Sequence, residues 1–211
     1  MPALPAIDVN SPTSPAGQGL ASASCYPLPV EPIYGVIYAD PPWQYENGGS
    51  QGGVDAEYGT MTDADLEAMK IPAAKDCVLY MWATAPRLDA AIRLIAAWGF
   101  EYKTGAVWDK ERLGIGYWFR GQHELLLVGT RGKVSPPPSE LRIRSVIRSK
   151  SSVHSRKPDY VRDQIAKWFP DVPKLEMFAR IKRPGWDAFG NQVEHDLFSD
   201  NDLADSPAQQ K

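Results

Sequence analysis

Two adjacent prolines behind an acid, in the run VIYADPPW from Val36 to Trp43, constrain this chain more than any other feature. Val36, Ile37, Tyr38 and Ala39 are apolar or aromatic without interruption, the pattern of a short buried strand. Pro41 and Pro42 have no N–H to give a neighbouring strand, so the strand is expected to stop at Asp40. In an open α/β sheet, ligands bind at the carboxyl ends of strands, which puts Asp40 in a crevice beside a stiff Pro-Pro backbone.

That grouping suits one chemical task. The exocyclic amine of adenine is a poor nucleophile because its lone pair is delocalised into the ring. If the Asp40 carboxylate and the Pro41 carbonyl each accept one of its N–H groups, the amine is held where the lone pair can leave the ring plane. Proline is apt here because its backbone only accepts. Trp43 is then expected to stack on the base. Extruding a base costs a few kcal/mol, and aromatic stacking returns roughly 1–3 kcal/mol. Taken alone, the motif fits equally well a strand followed by an ordinary Asp-Pro turn and a core tryptophan.

Further along, the chain alternates strand and helix signals. Residues 1–30 are rich in Pro, Ser, Ala and Gly and are expected to form a disordered tail. Five glycines between Gly48 and Gly59 suggest a mobile loop. Thr62 with Asp65 three residues on reads as a capping box, with Leu66 and Met69 on one helix face. Cys77 to Thr84 reads as a second buried strand. Pro86 opens a helix in which Leu88, Ala91, Ile92, Ile95 and Trp98 recur at helical spacing, with Gly99 closing it. Tyr102 to Trp108 gives a third strand, and the β-α-β alternation implies a mostly parallel sheet covered by helices on both faces. His123 and Glu124 open a fourth strand, and KLEMFARI at 174–181 is the last. Between them, Lys157-Pro158 starts a helix with Val161, Ile165 and Trp168 on its buried side. No G-x-G-x-x-G follows an early strand, so a conventional dinucleotide site is excluded.

Composition sets further bounds. A chain of 211 residues makes one domain with a sizeable core. A net charge of −3 argues against nucleic-acid binding by the whole surface and requires a local patch. The stretch LRIRSVIRSKSSVHSRK supplies one: Arg142, Arg144, Arg148, Lys150, Arg156 and Lys157, with no acid among them. A solvated face is the plainer alternative. Cys25 and Cys77 sit apart, without disulfide or zinc spacing, which fits a reducing cytoplasm. The chain shows no membrane-length apolar run and no signal-peptide pattern.

ADPPW, EYGTM at 57–61, LYMWAT at 79–84, SRKPD at 155–159, LEMFAR at 175–180 and GN at 190–191 together resemble the adenine-N6 methyltransferase family. That family includes the eukaryotic messenger-RNA adenosine methylases and many phage and bacterial adenine methylases. The similarity runs from about Val36 to Val193 with the motifs in the family's order. It implies an α/β, Rossmann-like class I S-adenosylmethionine-dependent methyltransferase with permuted motif order, the amine-activating strand first and the cofactor-lining segments last. The domain is expected over 31–196, with an acidic disordered tail at 197–211.

By this resemblance Asp40, Pro41, Pro42 and Trp43 form the catalytic motif, and Tyr58 and Glu124 border the substrate. Asp40, Lys157, Glu176, Phe178, Arg180, Asn191 and Gln192 line S-adenosylmethionine, with Lys157 on its carboxylate and Glu176 on its ribose. The implied activity is N6-methylation of adenine in nucleic acid, DNA being favoured over RNA, in the cytoplasm of a bacterium or phage-infected host. No metal or membrane is implied, and a homodimer or heterodimer is admitted. An RNA methylase, an N4-cytosine methylase and a silent nucleic-acid-presenting subunit are the alternatives.

Overall fold

The structure, a computed structural model, describes residues 33–45, 60–114, 116, 118–150 and 156–190. The glycine-bearing loop, Cys25 and both expected tails lie outside the described residues. Among those described, seven strands form one sheet: β1 (Tyr34–Ala39), β2 (Ala73–Ala83), β3 (Glu101–Asp109), β4 (His123–Arg131), β5 (Val146–Arg148), β6 (Lys174–Met177) and β7 (Asp187–Phe189). Their spatial order is β5-β3-β4-β2-β1-β6-β7. All run in one direction except β4, which is antiparallel to both β2 and β3. The mostly parallel sheet is as expected.

Both faces of the sheet are covered, so its strands carry near-continuous apolar runs instead of alternating ones. From Cys77 to Ala83 every residue of β2 is buried. One face holds Ile37, Leu79 and Met81 against α1 (Asp63–Ala68) and α2 (Leu88–Ala97). The other holds Tyr38, Tyr80, Trp82 and Trp108 against α3 (Asp159–Trp168). Burial at Cys77 also pushes its thiol up to about 12, which leaves it protonated and inert.

The helix signals map onto these elements with local differences. Thr62 caps α1 by accepting from the Asp65 N–H at 3.1 Å, and Leu66 is fully buried beneath it. Pro86 stands in a short 3-10 turn, Ala85–Arg87, just ahead of α2. On α2 the buried face is Ala90, Ala91, Leu94 and Ile95, and Leu88 is 40% exposed. Leu88 is the first residue of the helix, before the face that meets the sheet has been established. The helix closes with paired bonds, Gly99 N–H to Ala96 O and Phe100 N–H to Ile95 O, the Schellman pattern. β5 and β7, three residues each, carry too little periodicity to be read in advance.

Candidate active site

Strand direction gathers the chain's chemistry on one rim. In the order of the sheet, the carboxyl-end positions are Ser149 after β5, Lys110 after β3, Glu124 opening the antiparallel β4, Thr84 after β2, Asp40 after β1, Phe178 after β6 and Gly190 after β7. Glu124 reaches this rim only because β4 runs backwards.

The Asp40-Pro41-Pro42-Trp43 segment turns sharply off the end of β1. The Pro41 carbonyl accepts the Trp43 N–H at 2.9 Å, and the Pro42 carbonyl accepts the Met61 N–H at 3.0 Å. An oxygen has two lone pairs, so Pro41 keeps one acceptor site. Trp43 is placed differently from a stacking platform: only 6% exposed, it donates from Nε1 to the Trp82 carbonyl at 3.2 Å, with the Arg87 guanidinium 5.5 Å from its ring centroid. Its indole belongs to the core and fixes the turn. An apolar ring next to a strand end gains more by filling the core than by facing water, which is why the core reading of this tryptophan prevails.

Lys157 stands at the centre of a charge ladder. Its Nζ lies 2.7 Å from Asp40 Oδ2 and 3.2 Å from Glu124 Oε2, and Lys110 Nζ lies 3.3 Å from Glu124 Oε1. Burial alone would lower the Lys157 ammonium, but the charges and hydrogen bonds of Asp40 and Glu124 outweigh it and hold its pKa above the ordinary value. Its ammonium also stands over the Trp82 ring, 5.9 Å from the centroid. Beside the ladder, the Tyr45 and Thr84 hydroxyls share a hydrogen bond at 2.9 Å. Burial pushes the Tyr45 hydroxyl up.

On the β6 side, the Glu176 carboxylate is gripped by Arg162 Nη1, 3.0 Å from each oxygen. Burial pushes the Glu176 carboxyl up despite that cation. Phe178 adopts a left-handed backbone with φ 61°, uncommon for a bulky residue and characteristic of strained positions at ligand sites. Ala179 N–H donates to the Phe189 carbonyl at 3.0 Å, and a Cβ on Gly190 would stand 2.2 Å from the Ala179 oxygen. The segments after β6 and β7 therefore touch backbone to backbone. Arg180 is half-buried on this stretch.

The structure thus brings Asp40, Pro41, Pro42, Glu124 and Lys157 together on one half of the rim, and Glu176, Phe178 and Arg180 on the half beside it. Tyr58, Asn191 and Gln192 lie outside the described residues. Lys110 and Arg162 escaped the sequence reading. Lys110 carried a usable signal, being a cation immediately beyond a strand end. Arg162 interrupts the apolar face between Val161 and Ile165, and a cation at such a position calls for a buried acid.

Among the described residues, no group of three or more His, Cys, Asp or Glu is placed to hold a metal ion, and no helix is long and apolar enough to cross a membrane.

Comparison with known proteins gives the same outline. The MT-A70 family model matches residues 34–192. The chain is 37% identical over 181 residues to the type II methyltransferase M.MunI of Mycoplasma sp, covering 76% of this chain and 78% of that protein. It is 30% identical over 171 residues to a probable N(6)-adenosine-methyltransferase MT-A70-like of Oryza sativa subsp. japonica, and 28% identical over 172 residues to the human N(6)-adenosine-methyltransferase catalytic subunit METTL3. Each match again covers 76% of this chain, but only 23% of the rice protein and 28% of the human one.

Proposed function

The chain belongs to the MT-A70 family, and on that premise we propose that it transfers a methyl group from S-adenosylmethionine to the N6 amine of adenine in DNA. The observation that carries the reading is Asp40 on the rim, followed by a proline carbonyl with a lone pair to spare and tied to the buried ammonium of Lys157. DNA is favoured over RNA because identity with the type II methyltransferase M.MunI, 37%, exceeds the 28–30% shared with the adenosine methylases.

The donor set suits the cofactor. A buried ammonium, Lys157, is available for an amino-acid carboxylate, and a strand-end carboxylate, Glu176, for ribose hydroxyls. The family resemblance adds Phe178, Arg180, Asn191 and Gln192 to the cofactor set, and Gly190 allows the backbone to pass close. When bound, S-adenosylmethionine supplies a methyl group already activated for attack by nitrogen.

The protein's own work is positioning. The Asp40 carboxylate accepts one amine N–H and the Pro41 carbonyl the other, holding the nitrogen lone pair out of the ring plane. A carboxylate has about four acceptor sites, so Asp40 serves the amine while Oδ2 stays on Lys157. Glu124 also holds Lys157, 3.2 Å from Nζ, and by the family resemblance borders the base with Tyr58. Fixing nitrogen, carbon and sulfur in line is worth on the order of 7–11 kcal/mol of barrier. Trp43, seated in the core, acts by holding the turn in place.

Asp40→Ala tests this. The purified variant, offered labelled S-adenosylmethionine with matched single- and double-stranded DNA and RNA, should lose methyl transfer while keeping its circular dichroism spectrum. Retained transfer would remove Asp40 from the role. N4-methylcytosine in the wild-type product would replace adenine by cytosine.

A further inference from the structure

The core placement of Trp43 leaves the stacking function without its expected residue, and a different element of the same rim has the aromatic surface for it. Trp118 is 93% exposed and Phe119 87% exposed, far beyond the other large apolar residues described. They stand near the tip of the ribbon that extends the β3–β4 hairpin. The ribbon is braced by Lys110 N–H to Gln122 O at 2.9 Å, Gly114 N–H to Gly121 O at 2.7 Å and Arg120 Nε to Gly114 O at 2.7 Å. A Cβ on Gly116 would fall 2.0 Å from the Phe119 oxygen, so the tip folds on itself too tightly for a side chain there. Two large rings held in water on a braced tip point to a partner.

Position and charge indicate which. The ribbon leaves the same end of the sheet as Asp40, from β3, three strand spacings or roughly 14 Å away, the rise of about four stacked bases. It lies on the far side of Asp40 from Phe178 and Gly190, away from the residues assigned to the cofactor's nucleoside. Cations outnumber acids around it: Lys110, Arg112 and Arg120 against Asp109 and Glu111 on the ribbon, with Arg148, 3.9 Å from Asp109, and Lys150 at the end of β5, which pairs with β3. Next to them, Lys150, Arg156 and Lys157 line a cleft of about 240 Å³. In a chain of net charge −3, this local excess suits a polyanion bearing flat rings.

We propose that Trp118 and Phe119 form a stacking platform for nucleobases flanking the target adenine, with Arg120, Arg148 and Lys150 taking the adjoining phosphates. The inference rests on the nucleic-acid reading above.

Full-length Trp118→Ala/Phe119→Ala, Trp118→Phe and Arg148→Ala/Lys150→Ala are compared with wild type on a fluorescently labelled adenine-bearing DNA. Both aromatic rings are exposed, so thermal unfolding should be unchanged. By the usual strength of base stacking, affinity should fall roughly 5- to 140-fold per stacked base in the double aromatic variant, with no change in salt slope. Trp118→Phe should keep most of the affinity and lose the DNA-induced quench of Trp118 fluorescence. Arg148→Ala/Lys150→Ala should lower the salt slope by about two. Wild-type affinity in the double aromatic variant overturns the platform. So does a change from dimer to monomer on sedimentation, which would make the tip a contact with a second copy. Cofactor binding by calorimetry should stay at the wild-type value in all three. If wild type itself methylates no nucleic acid, the functional reading fails; if it does so and only the variants behave as wild type, the platform alone fails.

Discussion

Replacing Lys157 by Met removes the one charge standing between Asp40 and Glu124 and keeps an apolar stem over Trp82. The two carboxylate oxygens that Lys157 holds are no further apart than about 6 Å, its two ion-pair distances laid end to end. At an effective dielectric near 20, like charges at that separation repel by about 2.8 kcal/mol, or about two pK units. Lys110 beside Glu124 offsets part of this, so in the variant one carboxyl of the pair should take up a proton more readily than in the wild type. The sign follows from linkage. A carboxyl whose folded pKa is raised above its unfolded value destabilises the fold fully at pH above the folded pKa, and that loss fades as pH falls through it. Urea unfolding of Lys157→Met and wild type at pH 8, 7, 6 and 5 should therefore show a stability gap that narrows by roughly 0.4–1.4 kcal/mol between pH 8 and pH 5, the rest being released only as pH falls below the unfolded carboxyl range of about 4. A gap that stays constant across this range would refute the electrostatic account and leave Lys157 a packing role only.

Other consequences can be measured alongside. In the wild type the Lys157 pKa is raised, so its contribution is complete below about 10.5 and is lost as pH rises through the folded value; between pH 9 and 11 wild type should lose stability faster than Lys157→Met. Arg162→Met strands the Glu176 carboxylate and should cost about 3–5 kcal/mol at pH 8, most of it recovered in Arg162→Met/Glu176→Gln, as a denaturation cycle would show. Gly190→Ala forces a Cβ against the Ala179 backbone and should cost about 1–3 kcal/mol while weakening S-adenosylmethionine binding by calorimetry; unchanged affinity would detach Gly190 from the cofactor pocket.

Much of the architecture was legible because it rests on local rules. An apolar run cut off by an acid and two prolines has the pattern of a buried strand that stops, and β1 ends at Ala39 with Asp40 at its rim. Thr62 with Asp65, and Val161 with Ile165, state a cap and a buried face within a few residues of chain. The short strands β5 and β7 were illegible for the converse reason: three residues add a ladder to an existing edge, and the edge, not their own pattern, makes them strands.

The sequence by itself determined which groups the protein possesses and where its strands end: Asp40 before Pro41, Glu124 opening a strand, Lys157 opening a helix, Glu176 within the last long apolar run. Only the tertiary structure decided which of them meet. That Lys157 binds Asp40 across 117 residues depends on α3 packing over β1, and Glu124 joins them because β4 alone runs antiparallel. Trp43 shows the same division, since its local signal allowed either a stacking ring or a core ring. The packing around Trp82 and Arg87 settled it, because burial is a property of the neighbours a side chain finds and not of the residue itself.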